Sequence, residues 1–273
     1  MMYKTLKTLS LAALLLPGIA SAEMSQEEIA KASQNPLTAM YSLPIQNNIY
    51  VHIGSDKKTK NIANFQPVLP FDLNDDWTVV TRTIIPIVSS PTGTYSGGNY
   101  ERVFGLGDTT FTAFFTPKAA TESGWIWGVG PSLYLPTATD KDLGTKAWGA
   151  GASAVALKME GKFVYGALVS NIWSFAGADH PDEKINSMTL QPFVNYNLDD
   201  GWFVASVPII TANWEADSDH TWTVPMGLGV GRAMKLGKIP MTAQLHGYYN
   251  VVTPDDYGEE WQMRIQVQLL FPR

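Results

Sequence analysis

The chain has 273 residues, no cysteine and a net charge of −6, which excludes a disulfide framework, thiolate chemistry and a basic nucleic-acid footprint. Only 16% of the residues are charged while 11% are aromatic, against roughly a quarter charged in a soluble chain. Much of the surface is therefore expected to face something other than water. The first stretch, MMYKTLKTLSLAALLLPGIASAEMS, carries Lys4 and Lys7, an apolar run from Leu9 to Ile19 and the small-x-small site Ala20-Ser21-Ala22. It predicts a secretory signal peptide over residues 1–22 and a mature chain from Glu23. No later stretch offers the roughly 18 uninterrupted apolar residues of a membrane helix.

Residues 23–43 differ in composition from the rest. Ser25 followed by Glu28 has the spacing of a capping box ahead of a short helix, Gln26 to about Ser33, ended by Asn35-Pro36. Leu37, Met40, Tyr41 and Leu43 follow. The segment reads either as a periplasmic lead-in or as a plug in the lower mouth of a barrel.

From Pro44 the chain reads as alternating strands: Ile45 to Ile53, Ile62 to Phe71, Trp77 to Val88, Phe104 to Phe115, Trp125 to Leu135, Trp148 to Lys158, Phe163 to Phe175, Ser187 to Tyr196, Trp202 to Trp214, Thr221 to Arg232, Met241 to Val252, and the closing run Trp261 to Phe271. In that last run Trp261, Met263, Ile265, Val267, Leu269 and Phe271 share one face, opposite Gln262, Arg264, Gln266 and Gln268. Its length is about the 9–11 residues that cross a bilayer as a tilted strand. The connections after odd-numbered strands (SDKKTK, SSPTGTYSGGNYER, PTATDKDLGTKA, AGADHPDEKIN, EADSDH, TPDDYGEE) are mostly longer and more charged than those after even-numbered ones (LNDD, MEG, NLDDG, AMKLGKIP and the slightly longer TPKAATESG). About twelve strands, short turns at one end and long loops at the other predict an all-β, transmembrane, antiparallel up-and-down barrel over residues 44–273. A soluble sandwich gives no reason for this alternation.

FQPVLPFDLNDDWTVVTRTII, from Phe65, aligns with LQPFVNYNLDDGWFVASVPII, from Leu190, so strands two and three repeat as eight and nine, half a barrel apart. Seven prolines (Pro67, Pro70, Pro86, Pro131, Pro192, Pro208, Pro225) fall inside strands and should mark bulges or lie near strand ends. The tryptophans at strand ends fit interfacial girdles.

The alternation assigns a lumen face. It holds Gln46, Asn48, Tyr50 and His52 on the first strand; Arg82 on the third; Asp108, Thr110 and Thr112 on the fourth; and Gln191 and Asn195 on the eighth. Gln244, His246, Tyr248 and Asn250 on the eleventh strand and Gln262, Arg264, Gln266 and Gln268 on the last complete it. Closure sets the first strand beside the twelfth, so one wall gathers amides around Arg264. For strands six and seven both registers fit. Arg82 and Asp108, on neighbouring strands, read as a buried ion pair. The lining is either a hydrophilic path for solutes, with the Arg favouring anions or polarised groups, or a set of side chains that bond one another and fill the barrel.

Catalytic and metal sites are not expected. The histidines His52, His180, His220 and His246 have no zinc spacing, and no G-x-S-x-G occurs. The acidic loop clusters (Asp140 and Asp142; Asp179, Asp182 and Glu183; Glu215, Asp217 and Asp219; Asp255, Asp256, Glu259 and Glu260) read as a solvated rim, with a divalent cation shared with lipopolysaccharide phosphates as the alternative.

Several segments carry a family resemblance: QNPLTAMYSLPIQNN, FQPVLPFDLNDDWTVVTRTIIPI, GLGDTTFTAFFTP, WGVGPSLYLPTATD, LGTKAWGAGASAVAL, LQPFVNYNLDDGWF, ITANWEADSDHTWTVPMGLGVG and the closing FP. Over nearly all of residues 35–272 the chain resembles bacterial outer-membrane barrels grouped as "MetA pathway of phenol degradation". The resemblance implies an outer-membrane barrel that moves small, aromatic or apolar molecules, with no catalytic residues to carry over. Phe271 is followed by Pro272 and Arg273, a departure from the terminal aromatic of known barrels. The expected function is passive passage of small molecules without a cofactor, the alternatives being a barrel without conductance and an outer-membrane lipid hydrolase. The expected partners are outer-membrane lipids and lipopolysaccharide, the barrel-assembly machinery and a small-molecule solute, and not nucleic acid.

Overall fold

Alternation along each strand gives two chemically different faces, and the sheet satisfies both by curling until its edges meet. The computed structural model describes residues 24–53, 57–96, 99–178, 184–255 and 258–273. The predicted signal peptide lies outside the described residues, as do His180, Asp179, Asp182, Glu183 and Asp256. Helix α1 (Gln26–Gln34) precedes twelve strands. They are β1 (Tyr41–Ile53), β2 (Lys58–Phe65, then Val68–Asp72), β3 (Trp77–Ser96), β4 (Asn99–Leu106, then Thr109–Pro117), β5 (Trp125–Leu135) and β6 (Trp148–Glu160). The second half comprises β7 (Phe163–Ala176), β8 (Asn186–Asn197), β9 (Trp202–Ser206, then Ile210–Asn213), β10 (Trp222–Leu236), β11 (Ile239–Val252) and β12 (Glu259–Phe271). Sequence neighbours pair antiparallel throughout, and β1 pairs with β12 from Tyr41↔Phe271 to Ile53↔Glu259, closing an all-β barrel of 12 strands.

The outward face is apolar. Ile45, Phe115, Val129, Val169, Val204, Leu228, Leu245 and Ile265 are exposed on it. Aromatic pairs rim this band at both ends: Trp77–Trp127, Trp125–Tyr165 and Phe163–Tyr196 at the short-turn end, Trp214–Trp222 and Tyr249–Trp261 at the loop end. An apolar belt between aromatic girdles is the surface a hydrocarbon layer covers. The half-barrel repeat keeps its turn as well, since Leu73 N–H donates to the Trp77 carbonyl as Leu198 N–H does to that of Trp202.

All seven strand prolines sit where a ladder lapses. Pro67 and Pro208 lie in the gaps of β2 and β9, and Pro192 faces the β9 gap between the pairs Leu190↔Ile210 and Val194↔Ser206. Pro86 stands where β3 passes from the first half of β4 to the second, Pro131 where the β4–β5 ladder skips from Ser132 to Val129, and Pro225 at a register shift. Pro70 lies beyond the last β1 contact, Ser42↔Val68. A residue without an N–H fits where no ladder donor is called for.

Two expectations about the strands change. Within the run SSPTGTYSGGNYER, predicted as a loop, residues 89–96 and 99–102 extend the β3–β4 ribbon out to Ser96↔Asn99; the Thr, Tyr and Ser of the sequence suit an extended ribbon that length alone disguised. The first strand begins at Tyr41 rather than Ile45, because its ladder with β12 already holds at Tyr41↔Phe271.

The segment before β1 lies inside the short-turn end. Ser25 and Glu28 form the capping box, with Ser25 N–H donating to Glu28 Oε2 at 2.7 Å and Glu28 N–H to Ser25 Oγ at 3.2 Å. Ile29 and Ala30 pack against Phe203, Ala205, Ala233 and Leu270. Leu37 packs with Val68, Val80, Phe114, Val155, Leu157, Val164, Leu168 and Phe193. That cluster settles the register of β6 and β7, with Ser153, Val155 and Leu157 inward and Ala152, Val169 and Trp173 outward. Gln34 Nε2 donates to Asn197 Oδ1 at 2.9 Å and fixes the helix end to β8.

Ile29→Ala removes a fully buried anchor, a change that costs about 2–4 kcal/mol in a packed core. Tryptic cleavage at Lys31 should rise while the heat-dependent electrophoretic mobility of the closed barrel stays unchanged. At the short-turn rim Arg273 and then Lys118 donate to Asp72 and hold its carboxyl below the usual carboxylate range. A lowered folded-state pKa stabilises above the unfolded value and is lost as pH falls through the folded one. The stability difference between wild type and Asp72→Asn in detergent denaturation should thus be present at neutral pH and vanish as pH falls below about 4.

Candidate functional site

Closure sets three polar faces in register. Across β1, β12 and β11 the pairings give the rows Gln46–Gln266–Gln244, Asn48–Arg264–His246 and Tyr50–Gln262–Tyr248, all on the lumen side. A two-residue repeat per strand makes such rows automatic once the register is fixed.

These rows are wired together. Asn48 Oδ1 accepts from Arg264 Nε at 3.0 Å, Gln262 Nε2 at 2.9 Å and Gln46 Nε2 at 3.1 Å. Gln46 Oε1 accepts from Gln66 Nε2 at 3.3 Å, and Gln66 Oε1 from Arg82 Nη2 at 2.6 Å. An amide chain therefore links Arg264 to Arg82. Arg264 is 2% exposed. Its Nη1 donates to the Val207 carbonyl at 2.9 Å, in the gap of β9, and its Nη2 has no acceptor. The guanidinium lies 5.1 Å from the centre of the Tyr248 ring. That ring stacks on His246 within 7° of parallel. Tyr248 Oη and His246 Nδ1 share a hydrogen bond of 3.0 Å, and His246 Nε2 shares one of 3.1 Å with Gln244 Oε1. Gly229 makes the ring's place, because a Cβ there would come within 2.3 Å of it.

Between this wall and the plug lies a cavity of about 130 Å³. Gln46, Arg82, Gln191, Asn195, Gln244, His246, Arg264, Gln266 and Gln268 of the predicted lumen set line it. Asn48, Tyr50, Gln262, Tyr248 and Asn250 do not touch it. Asn48, Gln262 and Tyr248 support its wall, and Asn250 Nδ2 donates to the Glu259 carbonyl at 2.7 Å nearer the loops. Asn195 Nδ2 also donates to the Val164 carbonyl across to β7.

His52 leaves the row. Its φ of 59° and the register shift between Tyr50 and Ile53 turn it to the exposed rim, where Nδ1 meets Glu260 Oε2 at 3.0 Å. The Arg82–Asp108 ion pair is not formed. Asp108 sits in the gap of β4 and accepts from Tyr134 Oη at 2.8 Å, Ala138 N–H at 2.9 Å and Thr145 N–H at 2.6 Å, binding the loop after β5 over the inner face. Neighbouring strands gave the two residues the same wall but not the same height.

Cavity residues that the strand pattern passed over are Gln66, Val68, Leu168, Phe193 and Val207, with Ser33 to Pro36 of the plug. Gln66 precedes a proline as its repeat counterpart Gln191 does, and that shared Gln-Pro was the available signal. Towards the loops, a space of about 380 Å³ is bounded by Tyr134, Asn186, Ser187, Thr211, His220 and Thr223, and one of about 200 Å³ by Lys60, Asp108, Tyr134 and Leu143. Among the described residues no three of His, Asp and Glu converge as a metal site. His246 bonds to Gln244 and Tyr248, and His220 to Asp217; no serine takes part in these contacts.

No family model and no curated protein sequence matches the chain. A solved structure does share its fold. The COG4313 outer membrane channel from Pseudomonas putida F1 is 17% identical with a TM-score of 0.64, covering 86% of this chain and 97% of its own. Outer membrane phospholipase A from Escherichia coli is 13% identical with a TM-score of 0.45 (90% of this chain, 97% of its own), and the toluene transporter TodX of P. putida is 10% identical with 0.43 (86% and 90%). The first of these likenesses establishes the architecture: the chain has the fold of an outer-membrane barrel.

Proposed function

We propose that the protein is an outer-membrane channel for passive passage of small molecules, aromatic or apolar compounds among them, with its short-turn end in the periplasm and its belt in contact with outer-membrane lipids. The observation that carries this reading is the cavity of about 130 Å³ held open in the middle of a closed barrel by a continuous hydrogen-bonded wall. Side chains just fill the interior of an eight-stranded barrel; the twelve strands here enclose more, and the wall keeps part of it open. The P. putida barrel of like fold is described as an outer membrane channel, and the proposal extends that description to this chain. The plug closes the short-turn side of the cavity, so passage requires α1 and the residues after it to shift.

The absence of native cysteine allows a direct test. In planar bilayers Gln34→Cys/Asn197→Cys, placed at two side chains that bond each other, should conduct when reduced and fall silent when oxidised. Wild type should conduct in both conditions. Absence of conductance in every state, together with absence of solute uptake in liposome swelling, overturns the channel reading.

A further inference from the structure

We infer that the central cavity is a binding site for a small organic anion, a monocarboxylate with an apolar body. Two guanidiniums, Arg82 and Arg264, line one space, and among the described residues no carboxylate lines it. Their protein acceptors are all neutral: Gln66 Oε1 for Arg82, Asn48 Oδ1 and the Val207 carbonyl for Arg264. Asp108, the buried acid of the upper lumen, spends its oxygens on Tyr134 and two backbone N–H groups of the loop after β5. Glu260 is at the rim with His52. Burying a cation without a counter-charge is costly, and a second, half-buried guanidinium beside the same space adds to that cost. The arrangement is complete only when an anion enters. One donor is unspent: among the described residues, the buried Arg264 Nη2 has no acceptor.

The rest of the lining defines the body of the ligand. Val68, Leu168 and Phe193 form the apolar floor and belong to the packed cluster around Leu37, while Gln191, Gln244 and Gln268 line the wall beside it. A hydrated inorganic ion gains nothing from that floor, whereas a carboxylate on a ring or short chain uses both surfaces. The volume of about 130 Å³ is room for several waters or one small ring.

The inference rests on the channel reading only for how the ligand arrives, so binding is measured without a bilayer, by calorimetry in detergent micelles. The probes are benzoate, its neutral analogue benzyl alcohol, and inorganic phosphate. Benzoate should bind and the other two should not, and Arg264→Gln should weaken benzoate about tenfold or more, the worth of one charge-assisted hydrogen bond. Arg82→Gln, which gives up only the bond to Gln66, should weaken it likewise and serves where Arg264→Gln fails to fold. Equal binding of benzoate and benzyl alcohol, tighter binding of phosphate, no benzoate binding, or benzoate binding untouched in both folded variants overturns the anion site. Benzoate binding with loss in the variants, but neither conductance nor solute uptake in liposome swelling, retains the site and overturns the channel.

Discussion

A wall facing an apolar surrounding has to satisfy every backbone N–H and C=O from within, because nothing outside can. That constraint governs this barrel down to its irregularities. Prolines occupy the places where a ladder lapses, and the largest lapse, in β9, frees the Val207 carbonyl. Arg264 reaches from β12 across the lumen to take it. The same guanidinium holds Asn48 and covers the Tyr248 ring. One side chain thus mends the wall and sets the inner chemistry, which makes it both a structural brace and the main charge of the lumen.

The interior divides by height. Near the short turns, Leu37, Val80, Phe114, Leu157 and Val164 make a packed apolar layer of the kind found in soluble cores. Higher up, the wall turns to amides, hydroxyls and guanidiniums, with Thr112, Ser132 and Ser153 bonding in sequence across β4, β5 and β6. The cavity lies where the two layers meet, which is why its lining combines Phe193 with Arg264.

Strand alternation carried the barrel, its closure and the facing of β1, β11 and β12, because a period of two leaves no freedom once one face is apolar. It failed where the period is interrupted. The turn of His52 to the rim depends on a left-handed residue, and the partner of Asp108 is a loop whose return over the sheet no local pattern announces. The inward apolar faces of β6 and β7 could not be separated from the outward ones by hydropathy. Alanines and glycines make one face of WGAGASAVALK nearly as apolar as the other, and packing against Leu37 decides the register. The plug was legible as a helix through its capping box, but its place in the lumen comes from Ile29 meeting Phe203 and Leu270, contacts between distant parts of the chain.

The closing ladder differs from the other ladders of the barrel in one respect. They join sequence neighbours and can form as hairpins, one after another, whereas β1 and β12 lie at opposite ends of the strand order. Local pairings form fast and the entropy of joining distant segments comes last. Until that ladder forms, a sheet of the other pairings has two bare edges, Tyr41–Ile53 and Glu259–Phe271. Each edge offers a row of unpaired amides and carbonyls to any other strand it meets. The chain is most vulnerable to mispairing just before it is complete, and whatever escorts it to that point has those two strands to cover.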